Sequence, residues 1–431
     1  MPDNNSIPMG TSLTLTSTLS RTVVPLTNQV QLVYALLELV PSGVMVNVRM
    51  PLNIALVLDH SNSMIVEGKI KRLREAVKNF IDQLTSEDYI SLIMFVDSAE
   101  ILAPSQPARD RNKLKRQVDR VTTENISERE MRIIMQTTPS ATDAVPALRA
   151  ALAEAKKAHA ANRLSRIILL TDGQLMHPDA VVALAQRAGS DGIPIIALGV
   201  GADWNDALMQ QIARESGGIA DYIAKPNDIL TVFQDALTSL QATVVQNAAL
   251  TLRVSSGVEI RKVWRVVPLI MDLGSLSHIA LGDLEKETGQ TLLVEFLLPP
   301  RAAGNYRIAQ VEVAYDVPTL NIVGEWVRAD LLIAFSADAA RYPINPRVMN
   351  IAERVTAFKL QTRALEDARV GNTLAATEKL RSAATILLKQ GEADLARTLH
   401  LEADNLERLG QMSAEGVKTI KFKGGKTRRI D

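Results

Sequence analysis

The chain of 431 residues contains no cysteine. Disulfides, thiolate zinc sites, iron–sulfur clusters and cysteine nucleophiles are thereby excluded. Histidine is scarce, with five residues, so a His-rich metal site has little material. Charge of either sign is not in excess: 48 Lys and Arg face 48 Asp and Glu. A protein built wholesale around nucleic acid or an anionic membrane needs a basic excess, which this one lacks. No run approaches the ~18–20 apolar residues of a membrane span. The segment Met1 to Gly10 is polar, without the charged-then-apolar layout of a signal peptide. The expected compartment is the cytoplasm, and neither nucleic acid nor a membrane is expected as a partner.

What is present is 47% hydrophobic residues, enough for sizeable cores, and a length that suggests two to four domains at roughly 100–200 residues each. Four textures follow one another. Residues 11–48 read as β, with Leu13, Leu15 and Leu19 at odd positions among Thr and Ser, and strand-like Val30–Val40 and Val44–Met50. Residues 51–240 alternate short apolar strands with amphipathic helices. Residues 243–336 return to β, broken by Gly and Pro turns. Residues 343–412 are helical, with Gly371 and Gly391 placed as C-terminal caps and apolar positions Leu374, Leu380, Leu387, Leu395, Leu399 and Leu406 at helical spacing. Residues 413–431 form a basic tail, in which Thr419-Ile420-Lys421-Phe422-Lys423 alternates like a strand.

The middle block predicts an α/β fold. Strands Asn53–Leu58, Tyr89–Val96, Arg166–Leu170 and Ile193–Val200 alternate with helices, which implies a doubly wound, mostly parallel sheet covered on both faces. Ligands of such sheets bind outside the carboxyl ends of the strands. Asp59 and Asp172 both stand there. Asp59-x-Ser61-x-Ser63 places a carboxylate and two hydroxyls on a tight loop, and Thr142 and Asp172 extend this to a five-residue, all-oxygen set. Hard cations such as Mg²⁺ take oxygen ligands in octahedral geometry. Five ligands leave one position open, for which an acidic group of a partner is suited. His60 and His177 are expected as neighbours of such a site, not ligands, because a hard cation prefers oxygen.

These motifs resemble the von Willebrand factor A domain with its metal-ion-dependent adhesion site, over roughly residues 50–240. Asp59, Ser61 and Ser63 match the family's D-x-S-x-S, Thr142-Asp143 its threonine ahead of a helix, and Asp172 the Asp of Thr-Asp-Gly. Asn62 replaces the usual Gly between the serines, and Ser140-Ala141 replace the glycines before the threonine. Thr137 and Thr138 are nearby alternatives to Thr142, in a stretch, Thr123–Ser140, that looks like an insertion. The resemblance implies Ser61, Ser63 and Thr142 as direct ligands, with Asp59 and Asp172 acting largely through water. It implies a metal-dependent protein–protein interaction module and not an enzyme, with Mg²⁺ at the site, or Mn²⁺ or Ca²⁺, recruiting an Asp or Glu of a partner. It further suggests a bacterial protein working beside an AAA-type ATPase or a Ser/Thr kinase system.

Two readings compete with this one. Asp59 could serve as the nucleophile of a Mg²⁺-dependent phosphohydrolase, although Ser61 stands where haloacid-dehalogenase-like enzymes carry a second Asp. The chain could equally be a scaffold with a vestigial site. Gly424-Gly425-Lys426-Thr427 lacks the upstream Gly of a phosphate loop, and Gly199-Val200-Gly201 lacks the third glycine of a dinucleotide fingerprint. Asp203 reads as an N-cap and Thr142 could be one. Residues 11–48 are expected to pair with 243–336 in one β-sandwich into which the α/β domain is inserted, with a helical bundle following.

Overall fold

A computed structural model describes residues 12–43, 49–121, 141–201 and 204–426. The expectations placed on Asp203, Thr137, Thr138 and residues 44–48 of the strand expected at Val44–Met50 fall outside these residues, and Arg49 and Met50 belong to no strand. The chain divides into two compact units, 50–241 and the flanks on either side of it.

The N-terminal flank supplies strands β1 (Leu13–Leu19), β2 (Val23–Pro25) and β3 (Gln31–Pro41). The central unit follows with β4 (Leu52–Asp59), α1 (Lys69–Gln83), β5 (Tyr89–Phe95), β6 (Ala99–Pro107), α2 (Arg111–Val118) and β7 (Ala141–Thr142). It continues through α3 (Val145–Lys157), β8 (Leu164–Thr171), β9 (Gln174–Leu175), α4 (Pro178–Ser190), β10 (Ile195–Val200), α5 (Asp206–Ser216), β11 (Ile219–Ile223) and α6 (Ile229–Ala242).

The central sheet runs in the order β11-β10-β8-β4-β5-β6. All neighbours are parallel except β6, which is antiparallel to β5. Every residue of β4 and of β8 is buried, as strands covered on both faces require. Helix α1 buries Ile70, Leu73, Ala76, Val77, Phe80 and Ile81, one stripe at 3.6-residue spacing. Phe80 meets Phe233 of α6 edge-on at 6.2 Å. Sheet order fixes where a site can form. The connection leaving β4 runs to β5 on one side, and the connection leaving β8 runs to β10 on the other. The crevice at the carboxyl ends of β4 and β8 is the topological switch point.

The C-terminal flank adds β12 (Thr243–Val254), β13 (Glu259–Val267), β14 (Met271–Asp272), β15 (His278–Glu285), β16 (Gln290–Leu298), β17 (Gly304–Val317) and β18 (Ile322–Ser336). Two five-stranded sheets result, β1-β3-β16-β13-β14 and β15-β12-β17-β18-β2, with β3 paired to β16 from Leu39↔Gln290 to Gln31↔Leu298. Ala35, Leu37 and Leu39 of β3 point into a core shared with Leu250, Val311 and Val313 of the other sheet. Leu36 points the other way. It joins Trp264 and Leu293 in a second cluster with Val348, Ile351 and Val355.

Those three residues belong to α7 (Pro346–Arg369), which is followed by α8 (Thr373–Lys389), α9 (Ala393–Leu409) and α10 (Ala414–Lys423). Gly371 and Gly391 end their helical segments at φ 80°, the backbone that only glycine adopts without strain. Leu380, Leu387, Leu395, Leu399 and Leu406 are buried between the helices, whereas Leu374 is 72% exposed and packs no core.

The strand expected at Thr419–Lys423 is instead part of α10. Its cap explains the difference. Ser413 Oγ accepts from Gly416 N at 2.9 Å, and Glu402 accepts from both Ser413 N and Ser413 Oγ at 2.7 and 2.6 Å. A Cβ on Gly416 would lie 2.1 Å from Glu402 Oε1, so a larger residue there would push that carboxylate off the cap. Ile420 and Phe422 are buried, and five residues of period-two alternation do not outweigh that anchoring.

Candidate functional site

Asp59 is the last residue of β4 and has no solvent exposure. Its Oδ1 accepts from Ser61 N at 2.8 Å, the short backbone turn that makes Asp a natural loop former. Its Oδ2 accepts from Thr171 Oγ1 at 2.5 Å. Burial pushes the Asp59 carboxyl up to about 6, against the opposing effect of the bonds from Thr171 and Ser61. The loop then enters a 3₁₀ turn, Asn62–Gly68, and Gly68 at φ 69° turns the chain into α1.

The loop serines carry the network across to β8. Ser61 Oγ and Ser63 Oγ are 2.9 Å apart, and Ser63 Oγ donates to Asp172 Oδ1 at 2.6 Å. Asp172 follows the end of β8 and is buried. Its second oxygen, Oδ2, receives Lys69 Nζ at 2.7 Å. Four of the five sequence-predicted residues are therefore one hydrogen-bonded chain, with Asp59 entering through Ser61 and Asp172 closing it.

Thr142 is held differently. Strands β7 and β9 pair in parallel, setting Thr142 opposite Leu175, three residues beyond Asp172. Met176 N donates to Thr142 O at 2.9 Å, and Asp143 N donates to Val96 O at 3.0 Å. These bonds pin the Thr142 backbone between the ends of β5 and β8. The residue is 2% exposed, and its Oγ1 has no hydrogen-bond partner among the described residues. Thr142 is not an N-cap: α3 starts at Val145, whose N–H is accepted by Asp143 Oδ1 at 2.9 Å. Ser42, Ser105, Thr319 and Thr377 also have buried hydroxyls without a partner among the described residues; Thr142 is set apart by its place between the ends of β5 and β8.

Two residues that support the site were not singled out from the sequence. Thr171 stands within the Thr-Asp-Gly motif, whose carboxylate is the more conspicuous donor of negative charge. Its hydroxyl donates to Asp59 and accepts from Gly173 N at 3.2 Å, linking the two strand ends. Lys69 opens α1, and nothing in its spacing from Asp59 foretells an ion pair with a residue 103 positions later. His177 sits in left-handed backbone ahead of α4 at φ 53°. Gly199 and Gly201 serve packing. A Cβ on Gly199 would fall 2.1 Å from the Trp204 ring, and Trp204 Nε1 donates to Gly201 O at 2.8 Å.

Among the described residues no group of three or more His, Asp or Glu side chains is gathered as a metal cage. The bonded group comprises the carboxylates of Asp59 and Asp172 and the hydroxyls of Ser61, Ser63 and Thr171. No helix among the described residues is long and apolar enough to cross a membrane.

Comparison with known proteins agrees with this architecture. Residues 53–235 match the family described as von Willebrand factor type A domain, and residues 346–430 match the Sll0103-like, C-terminal alpha-helical domain. The chain is 29% identical over 281 residues to the uncharacterized protein sll0103 of Synechocystis sp.. That match spans 63% of this chain and 63% of the relative, so the chain covers less than two thirds of the relative's length. Among solved structures, a von Willebrand factor type A protein from Catenulispora acidiphila superposes with a TM-score of 0.74 at 17% identity, covering 97% of each chain. The ArnB paralog VWA2 from Sulfolobus acidocaldarius gives a TM-score of 0.53 at 15% identity, over 96% of this chain and 99% of that one. Residues 53–235 are thus a von Willebrand factor type A domain, and residues 346–430 an Sll0103-like C-terminal alpha-helical domain.

Proposed function

We propose that the site binds a divalent cation and uses it to recruit an acidic side chain of a protein partner. Ser61, Ser63 and Thr142 would hold the ion, with Asp59 and Asp172 supplying the negative charge behind them. Mg²⁺ is the first choice, and Mn²⁺ or Ca²⁺ share its preference for oxygen. The observation that carries this reading is the Thr142 hydroxyl, buried beside the strand ends with no hydrogen-bond partner among the described residues. A bound divalent ion supplies a concentrated positive charge that can take a carboxylate oxygen as a further ligand. The protein's own residues do the rest. Thr171 and Ser61 N keep Asp59 oriented, Ser63 is aimed by Asp172, and the pairing of β7 with β9 fixes Thr142.

The phosphohydrolase alternative is poorly supported by this geometry. An Asp nucleophile must reach its substrate, whereas Asp59 is fully buried and both its oxygens are engaged. The scaffold alternative draws on one observation, that Lys69 already neutralises Asp172. The partner is an acidic protein segment, and an AAA-type ATPase or Ser/Thr kinase system remains the suggestion made by resemblance. A pull-down from lysate with Mg²⁺ or with chelator tests the reading. Partners should be retained only with the divalent ion and lost in Asp59→Ala, with the variant still folded by circular dichroism. Retention that ignores both chelator and substitution would refute it and favour the scaffold.

A further inference from the structure

The cation that sits on Asp172 in this structure is a lysine. Lys69 Nζ lies 2.7 Å from Asp172 Oδ2 and 3.4 Å from the carbonyl oxygen of Ser63. Its side chain is 12% exposed and that of Asp172 is wholly enclosed, so the pair is partly shielded from water and from salt. Asp172 accordingly has a strong donor on each oxygen, Ser63 Oγ on Oδ1 and Lys69 Nζ on Oδ2. The lysine reaches in from the rim: a Cβ on Gly201, at the end of β10, would stand 4.0 Å from Nζ. Nζ is thus framed by the loop after β4, the end of β8 and the end of β10.

We propose that Lys69 is an internal counter-cation that competes with a divalent ion for Asp172, and so sets the affinity of the site. This rests on the metal-binding reading above. A carboxylate in little contact with water must be balanced by charge, and one ammonium balances one carboxylate. A divalent ion drawn to the same carboxylate meets like-charge repulsion from Nζ, which is strong at short range where water is scarce. Loading the site therefore requires Lys69 to leave. Its flexible four-carbon stem and partial exposure give it a route to solvent. Without divalent ion, Lys69 holds the Ser63–Asp172 arm in place. With it, the lysine stands at the rim, where an acidic partner segment would meet a second positive charge.

The competing explanation is that Lys69 is only a pin between the start of α1 and the end of β8. Binding of Mn²⁺ to the full chain separates the two, with the free ion followed by its electron paramagnetic resonance signal. Lys69→Met removes the charge and keeps the stem, and should bind Mn²⁺ at least about tenfold more tightly than the wild type. Lys69→Arg keeps the charge and should stay within about twofold of the wild type. Lys69→Gln keeps a donor for Asp172 without the charge and should follow the Met variant, which preserves the test if the Met variant does not fold. Affinity in Lys69→Gln equal to or weaker than wild type, with wild-type binding lost in Ser63→Ala, would overturn the competition and leave the metal site standing. Absence of Mn²⁺ binding in the wild type and in both neutral variants would overturn the competition and the metal site together.

Discussion

Replacing Thr142 by Val makes a sharp test, because the two outcomes differ in sign. Valine matches threonine in shape and β-branching, so the backbone pinned by Met176 N and Asp143 N has no steric reason to move. The hydroxyl that disappears is buried and has no partner among the described residues. A buried polar group left unsatisfied costs about 1–3 kcal/mol. In chelator, Thr142→Val should therefore be more stable than the wild type, by about 1–2 kcal/mol. For a unit of 150–250 residues each kcal/mol moves Tm by ~2–4 °C. Divalent ion should reverse the order. A ligand at 100 times its dissociation constant stabilises by about 2.7 kcal/mol, which the wild type would gain and the variant would largely forfeit. Paired thermal melts with Mg²⁺ and with chelator, read by circular dichroism, give all four values. A variant less stable than wild type in chelator would mean that the hydroxyl is satisfied after all, and the argument from its isolation would fall.

Three further outcomes follow from other parts of the molecule. Burial raises Asp59 from its ordinary 3.8 to about 6, so the folded state holds this proton more tightly than the unfolded chain. In chelator the resulting stability is present below about pH 4 and is lost as pH rises through 6, a loss of about 3 kcal/mol that Asp59→Asn should flatten in denaturation curves. Divalent binding should strengthen over the same interval, because the ionised carboxylate is the form that attracts the cation. Gly199→Ala would drive a methyl into the Trp204 ring and should cost about 1–3 kcal/mol, with a change in tryptophan fluorescence; an unshifted spectrum and melting point would contradict the packing. Glu402→Ala removes the acceptor of both Ser413 bonds and should loosen α10 by about 1–3 kcal/mol, seen as faster amide exchange over 414–423; unchanged exchange would contradict the anchoring role.

Much of the α/β block was legible because its signals are local. Continuous apolar runs mark β4 and β8, a 3.6-residue stripe marks α1, and D-x-S-x-S and Thr-Asp-Gly stand at strand ends. What escaped was set by distance or by edges. β6 has the sequence Ala-Glu-Ile-Leu-Ala-Pro-Ser-Gln-Pro, whose two prolines suit an edge strand and hide it from a reading that looks for apolar runs. α10 is hidden because Thr-Ile-Lys-Phe-Lys alternates, while its anchor, Glu402, lies on another helix. In the site, the oxygen set could be proposed from residue types alone. Lys69 could not, because its partner becomes a neighbour only when β4 and β8 lie side by side.

The pairing of β3 with β16 also orders events in time. Leu39 must find Gln290, and the whole 50–241 unit is synthesised between them. The central unit is continuous in the chain and can fold as it emerges from the ribosome. β3 can pair with β1 at once, but its other edge waits for β16, and meanwhile Leu36, Leu37 and Leu39 lack most of the strands and the helix that will cover them. Closing so long a loop is slow, and a half-paired apolar strand invites association between nascent chains. A truncated product ending before β16 would leave the free edge of the β1–β3 pair open and the apolar faces of β3 short of their cover.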